Sequence, residues 1–121
     1  MAVSMHDVRR VLDPEEPSYE AAAKLGTEAL PHLQALVAGA DPMLASKATY
    51  AASLLEGAAG KDVVRTAAQS DDPVVRVAAA AAARNLPAES ASDVLAQLVR
   101  DADSGIRKVA RASAARGRQS D

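Results

Sequence analysis

The chain repeats itself with a period of 31 residues. Asp41-Pro42, Asp72-Pro73 and Asp103-Ser104 each open an alanine-rich stretch. Three residues on stand Leu44, Val75 and Ile106; seven on, Ala48, Ala79 and Ala110; ten on, Ala51, Ala82 and Ser113. Upstream, Leu33, Val64 and Leu95 keep the register, as do Val37, Ala68 and Val99. A fixed period of this length marks stacked supersecondary units, each too small to bury its apolar face alone and each covered by its neighbours.

Composition says what the units are made of. Apolar residues are 49% of the chain, yet Phe, Trp and Cys are absent, and Tyr19 and Tyr50 are the only aromatic residues. Alanine dominates instead, and it is the strongest helix former. Its small side chain buries little area, so the core must come from close helix approach around a few Leu, Val and Ile anchors. Two helices fit in each period. Thr27 to Ala38 reads as a first helix, with Thr27 as cap, Pro31 in the first turn, Leu30, Leu33, Leu36 and Val37 as its stripe and Gly39 as its stop. Asp41 caps a second helix, with Pro42 at its first position, that runs to about Leu55. The pattern recurs at Gly60 to Gln69 and Asp72 to Leu86. It recurs again from Ser90, where S-x-x-D suggests a capping box, and from Asp103 to a stop at Gly117. The N-terminal unit is irregular. It holds a short helix over His6 to Leu12, a second that starts at Asp13-Pro14 or at Pro17-Ser18, and a left-handed stop at Gly26. The expected architecture is all-α: one domain, a right-handed α-solenoid of about four antiparallel hairpins. Its units span 5–26, 27–57, 58–88 and 89–118, with disorder expected at 1–4 and 119–121.

D-P-V-V-R-V-A-A-A-A-A-A at 72–83 and D-S-G-I-R-K-V-A-R-A-S-A at 103–114 resemble the second helix of HEAT repeats of the short bacterial, phycobilisome-lyase-like type. The shared pattern is an Asp in the turn, an aliphatic residue three on, an Arg four on, and a run of small residues. K-L-G-T-E-A-L-P-H-L at 24–33 resembles the junction before a first helix, and Ala45 departs from the pattern by standing where the Arg is expected. The resemblance implies a HEAT-like superhelix whose second helices line a concave surface, acting as a scaffold or protein-binding module. More remotely, it implies an accessory subunit of a lyase-like enzyme. Such repeats serve many roles, so the fold alone does not choose among them.

Reactive chemistry is scarce. The absence of cysteine excludes disulfides, thiolate metal sites and a cysteine nucleophile. His6 and His32 have no metal-ligand spacing, the glycines read as helix stops rather than a phosphate loop, and Glu15-Glu16 falls at a helix start, where acids are expected. The chain therefore reads as non-enzymatic, with no metal and no cofactor. Met1 to Arg10 has no apolar run and carries Asp7, unlike a signal peptide. The longest apolar run, Val77 to Ala83, is too short to span a bilayer, so no membrane association and a cytoplasmic setting are expected.

Asp72 and Asp103 read as helix caps, and Arg76 and Arg107 as ion-pair partners either of those caps or of the Asp of a neighbouring unit. Charge distribution is more informative than its total of −2. Residues 1–28 carry three basic and six acidic groups, −3; residues 104–121 carry five basic groups and Asp121, +4. The basic set Arg107, Lys108, Arg111, Arg116 and Arg118, with Arg84 beside it, reads either as a polar cap or as a site for an anionic partner. Nucleic acid is disfavoured by a pI near 5.6 and by the scarcity of aromatics. A second surface is the outward side of the second helices: Ser46, Thr49, Tyr50 and Ser53, then Val77, Ala80 and Arg84, then Lys108, Arg111 and Ala115. There Tyr50 either anchors a partner or fills a seam. The residues expected to touch a protein partner are Tyr50, Val77, Arg84, Arg107, Lys108 and Arg111, in a monomer or weak homodimer.

Overall fold

A computed structural model describes residues 2–119, with side chains placed through Arg116. The Arg118 side chain lies outside the described part, as do residues 1, 120 and 121 of the segments 1–4 and 119–121 expected to be disordered. Among the described residues there are eight α-helices and no strand. They are α1 Met5–Leu12, α2 Tyr19–Lys24, α3 Leu30–Val37, α4 Pro42–Ser53, α5 Lys61–Ala68, α6 Pro73–Ala82, α7 Ala88–Leu98 and α8 Ser104–Gln119. Short 3-10 turns occupy Gly26–Ala29 and Ala83–Asn85.

Local chemistry sets most helix starts. The Asp41 carboxylate accepts from the amides of Met43 and Leu44 at 3.0 and 3.2 Å, Asp72 from Val74 at 2.9 Å, and Asp103 from Gly105 and Ile106 at 2.7 and 3.2 Å. These are N-caps, and Pro42 and Pro73 occupy the first helical position, where a missing N–H costs nothing. Ser18 settles the ambiguous start of α2, its hydroxyl accepting from Ala21 N at 3.2 Å. Ser4 and Asp7 form a reciprocal capping box at α1, and the Val3 carbonyl accepts from His32 Nε2 at 2.7 Å. Gly26 does take left-handed backbone, at φ +72°.

Three boundaries differ from expectation. Thr27 lies in a 3-10 turn and caps nothing; α3 starts at Leu30. No capping box forms at Ser90, because α7 begins earlier, behind Pro87, and carries Ser90 inside as a buried residue. The final helix runs through Gly117 to Gln119, since Gly tolerates helical backbone at a cost of only about 1 kcal/mol.

Packing follows chain order. α3 packs on α4, α5 on α6 and α7 on α8; α4 touches α6 and α6 touches α8, while α3 touches α5 and α5 touches α7. Helices α1 and α2 pack on each other, α2 also on α4, and α1 also on α3 and α4. Residues with almost no side chain are the most covered on these helices: Ala45, Ala48, Ala52, Ala79, Ala80 and Ala83 are all at most 1% exposed. Polar ties cross from unit to unit at nearly one period. Gln34 donates to the Thr66 hydroxyl at 3.0 Å, Asn85 to the Ser53 hydroxyl at 3.1 Å, and Ser113 to the Ala80 carbonyl at 2.7 Å; Lys61 pairs with Asp93 at 2.6 Å.

Candidate functional site

The second helices α4, α6 and α8 present one continuous row, and its register explains each exposed side chain. Positions 31 apart share a face. Ala45, Arg76 and Arg107 form one such set; Thr49, Ala80 and Arg111 a second; Ser46, Val77 and Lys108 a third; Met43, Val74 and Gly105 a fourth.

The first set is structural in two of its members. The Nη1 of Arg76 donates to the carbonyls of Ser70 and Asp71 at 3.0 and 3.1 Å. Arg107 repeats this one period later, donating to Asp101 and Ala102 at 2.7 and 3.1 Å. Each guanidinium folds back to satisfy carbonyls of the turn that precedes its own helix, where the chain lacks helical partners. Arg76 reaches further. Its Nε meets Asp101 Oδ2 at 2.9 Å, tying its unit to the next turn, with the Asp101 side chain 9% exposed. The Asp103 amide, then Arg76, hold the Asp101 carboxyl below the usual carboxylate range, against an upward push from burial. Ala45, 1% exposed, has no side chain with which to do the same.

The second set lies in the joins. Thr49 and Ala80 are both 0% exposed, and Ser53 is 1% exposed. This corrects the expectation that they face outward. They sit where second helices approach one another, and only small side chains fit there. Their register mate Arg111, on α8, is exposed. The six expected contact residues are thus divided. Val77 is half-buried and packs on the core, with Lys108 exposed in the same register and Arg111 exposed three residues on. Arg84 is exposed and donates to the Ala81 carbonyl at 3.1 Å. Tyr50 is half-buried, its ring edge-on to Tyr19 with centroids 4.7 Å apart and planes at 66°. Burial raises the Tyr19 phenol above its ordinary value, with Tyr50 adding to the shift.

The most exposed large apolar residues lie outside the expected contact set. Among the described residues the large exposed hydrophobics are Met43 at 65%, Val74 at 51% and Leu54 at 36%, and all three belong to α4, its C-cap or α6. Met43 and Val74 each follow an Asp-Pro cap, one period apart. The Asp-Pro-apolar spacing was the available signal.

Elsewhere, a shallow depression beside α1 is lined by Met5, His6, Arg9, Arg10, Asp13 and Pro14, with Arg9 already paired to Asp13 at 3.3 Å. Among the described residues no three His, Asp or Glu side chains are grouped to hold a metal, and no helix is long and apolar enough to cross a membrane. The chain matches no protein-family model, and comparisons with curated proteins and with solved structures return no match.

Proposed function

We propose that the chain is a HEAT-like module: a right-handed α-solenoid of antiparallel hairpins that binds another protein through the outward row of its second helices. The observation that carries this reading is that the large exposed hydrophobics among the described residues, Met43, Leu54 and Val74, all fall on α4, its C-cap or α6, the helices that also carry the half-buried Tyr50 and Val77. Single hydrophobics scattered over a surface mean little, but these fall on two helices that pack on each other. Catalysis plays no part in this role. The ordered packing supplies a rigid platform, and the partner supplies the complementary shape. The direct test is affinity capture from cytoplasmic extract with the wild type and with a Met43→Asp/Val74→Asp variant. Proteins bound by the first and lost from the second support the reading; identical recovery from both refutes it.

A second reading, an anion-binding role, rests on α8, which carries Arg107, Lys108, Arg111, Arg116 and Arg118 with no acidic residue within it. Binding would then weaken steeply with salt. A flat anisotropy titration with single-stranded and duplex nucleic acid at low salt would remove it.

A further inference from the structure

The two outer faces of the helix series carry opposite charges at the very positions that, inside the molecule, join one unit to the next. At the join of α6 and α8, Ser113 donates to the Ala80 carbonyl. The register mates of Ala80 are Thr49 and Arg111; those of Ser113 are Ala82, Ala51 and Glu20. Inside the series these positions hold small, covered residues: Ala51 is 1%, Ala82 0% and Ser113 2% exposed. On the outer faces they hold Arg111, exposed on α8, and Glu20 on α2, its side chain 86% exposed. The register extends to α2, because the ring pair Tyr19–Tyr50 is itself 31 residues apart. Moved forward by one unit, the Ala80–Ser113 contact becomes Arg111 opposite the position that Glu20 occupies in another molecule.

The segment between α1 and α2 adds exposed acids: Asp13, which is paired with Arg9, and Glu15 and Glu16. The segment charges agree: +4 over 104–121 against −3 over 1–28. Caps that served only solubility would work best with like charges, which repel copies; opposite charges attract them. Lys24 does not neutralise Glu20, since their 3.7 Å contact is between side chains 76% and 86% exposed and is correspondingly weak.

We propose that this chain associates head to tail with a second copy of itself, the α8 face of one protomer against the α2 face of the next, with Arg111 of one opposite Glu20 of the other. This uses only the order of helix contacts and does not depend on what the outward row binds. Arg111 is bulkier than Thr49 or Ala80, so the contact is looser than an internal join, held by charge and sensitive to salt. A head-to-tail contact leaves one face open on each outer copy, so a series of species forms rather than a single closed dimer.

Sedimentation velocity on the full chain at low salt tests this. The average mass should rise with concentration and fall on adding salt. Arg111→Glu and Glu20→Arg should each remain monomeric alone, and an equimolar mixture of the two should associate again, because every contact then pairs one positive with one negative residue. Both residues are exposed, so circular dichroism should show both variants folded. Three results would each overturn the proposal: a wild type that stays monomeric throughout, association indifferent to either substitution, or a mixture no heavier than its components.

Discussion

Gly60→Ala sets two physical effects against each other. Gly60 precedes α5 with φ −89° and ψ 2°, a conformation open to alanine. Were chain entropy decisive, the substitution would stabilise the fold by about 0.4–1 kcal/mol, less a few tenths to 1 kcal/mol for a poorer N-cap. The environment says otherwise. A Cβ there would stand 1.8 Å from the Ala52 carbonyl oxygen and 2.5 Å from its carbon. A relaxed carbon–oxygen contact is near 3.3 Å, so the start of α5 must move back by about 1.5 Å. Both sides are backbone, so no rotamer change relieves the clash. The shift opens the join where Ala52 and Val64 are both 0% exposed. Overpacking of this kind costs about 1–3 kcal/mol and sometimes more, so a net loss of about 2–4 kcal/mol is expected, a large part of the ~5–15 kcal/mol that keeps a domain folded. Urea unfolding followed by far-UV circular dichroism measures it as a lower midpoint at unchanged slope. The matched control is Gly105→Ala in the first turn of α8, where only Asp103 Oδ1 at 3.1 Å is close; it should change stability by no more than about 1 kcal/mol. A Gly60→Ala midpoint equal to or above wild type would refute the close-approach argument.

Three further outcomes can be measured with the same assay. Arg76→Ala should cost about 2–3 kcal/mol and Arg107→Ala about 1 kcal/mol, because both lose two turn carbonyls but only Arg76 also leaves a largely buried carboxylate unpaired; equal losses would mean that the Asp101 pair contributes nothing. Asp101→Asn should be pH-dependent: the folded carboxyl titrates below the unfolded value of about 3.9, so the wild-type advantage is complete above that value and is lost as pH falls through the lowered pKa. A gap between the two proteins that is as wide at pH 3 as at pH 7 would contradict that sign. Asp72→Ala should cost about 1 kcal/mol through the lost cap, with α6 amides in the first turn exchanging faster by NMR; unchanged exchange would show the carboxylate to be dispensable.

Local chemistry was legible in the sequence. The caps at Asp41, Asp72 and Asp103, the left-handed Gly26 and the inward stripes all depend on neighbours a few residues away, and the structure places them as read. What failed depends on a second buried arc. Each of α4 and α6 packs on a first helix and again on its neighbours in the row. Counting one apolar stripe therefore put Thr49, Ser53 and Ala80 outside when they fill the joins. Alanine hides this arc, because it is equally at home exposed or in a tight seam. Gly60 reads only as the start of a helix, while its requirement is the absence of a Cβ against a helix that no local pattern reveals. The candidate contact residues were half legible. Lys108 and Arg111 are exposed, but Arg107 spends one edge of its guanidinium on turn carbonyls, and Met43, Leu54 and Val74 were passed over because single apolar residues outside a stripe carry no periodic signal.

Arg76 and Arg107 each act as a latch on the turn before their own helix, and the segment 38–41, ahead of α4, has alanine where the latch would be. The three otherwise equivalent turns therefore differ in how readily they open. Segment 38–41 is the place where amide protons should exchange first and where a protease should find its earliest foothold, so that transient opening begins on the N-terminal side and leaves the pair clasped by Arg76 and Asp101 for last.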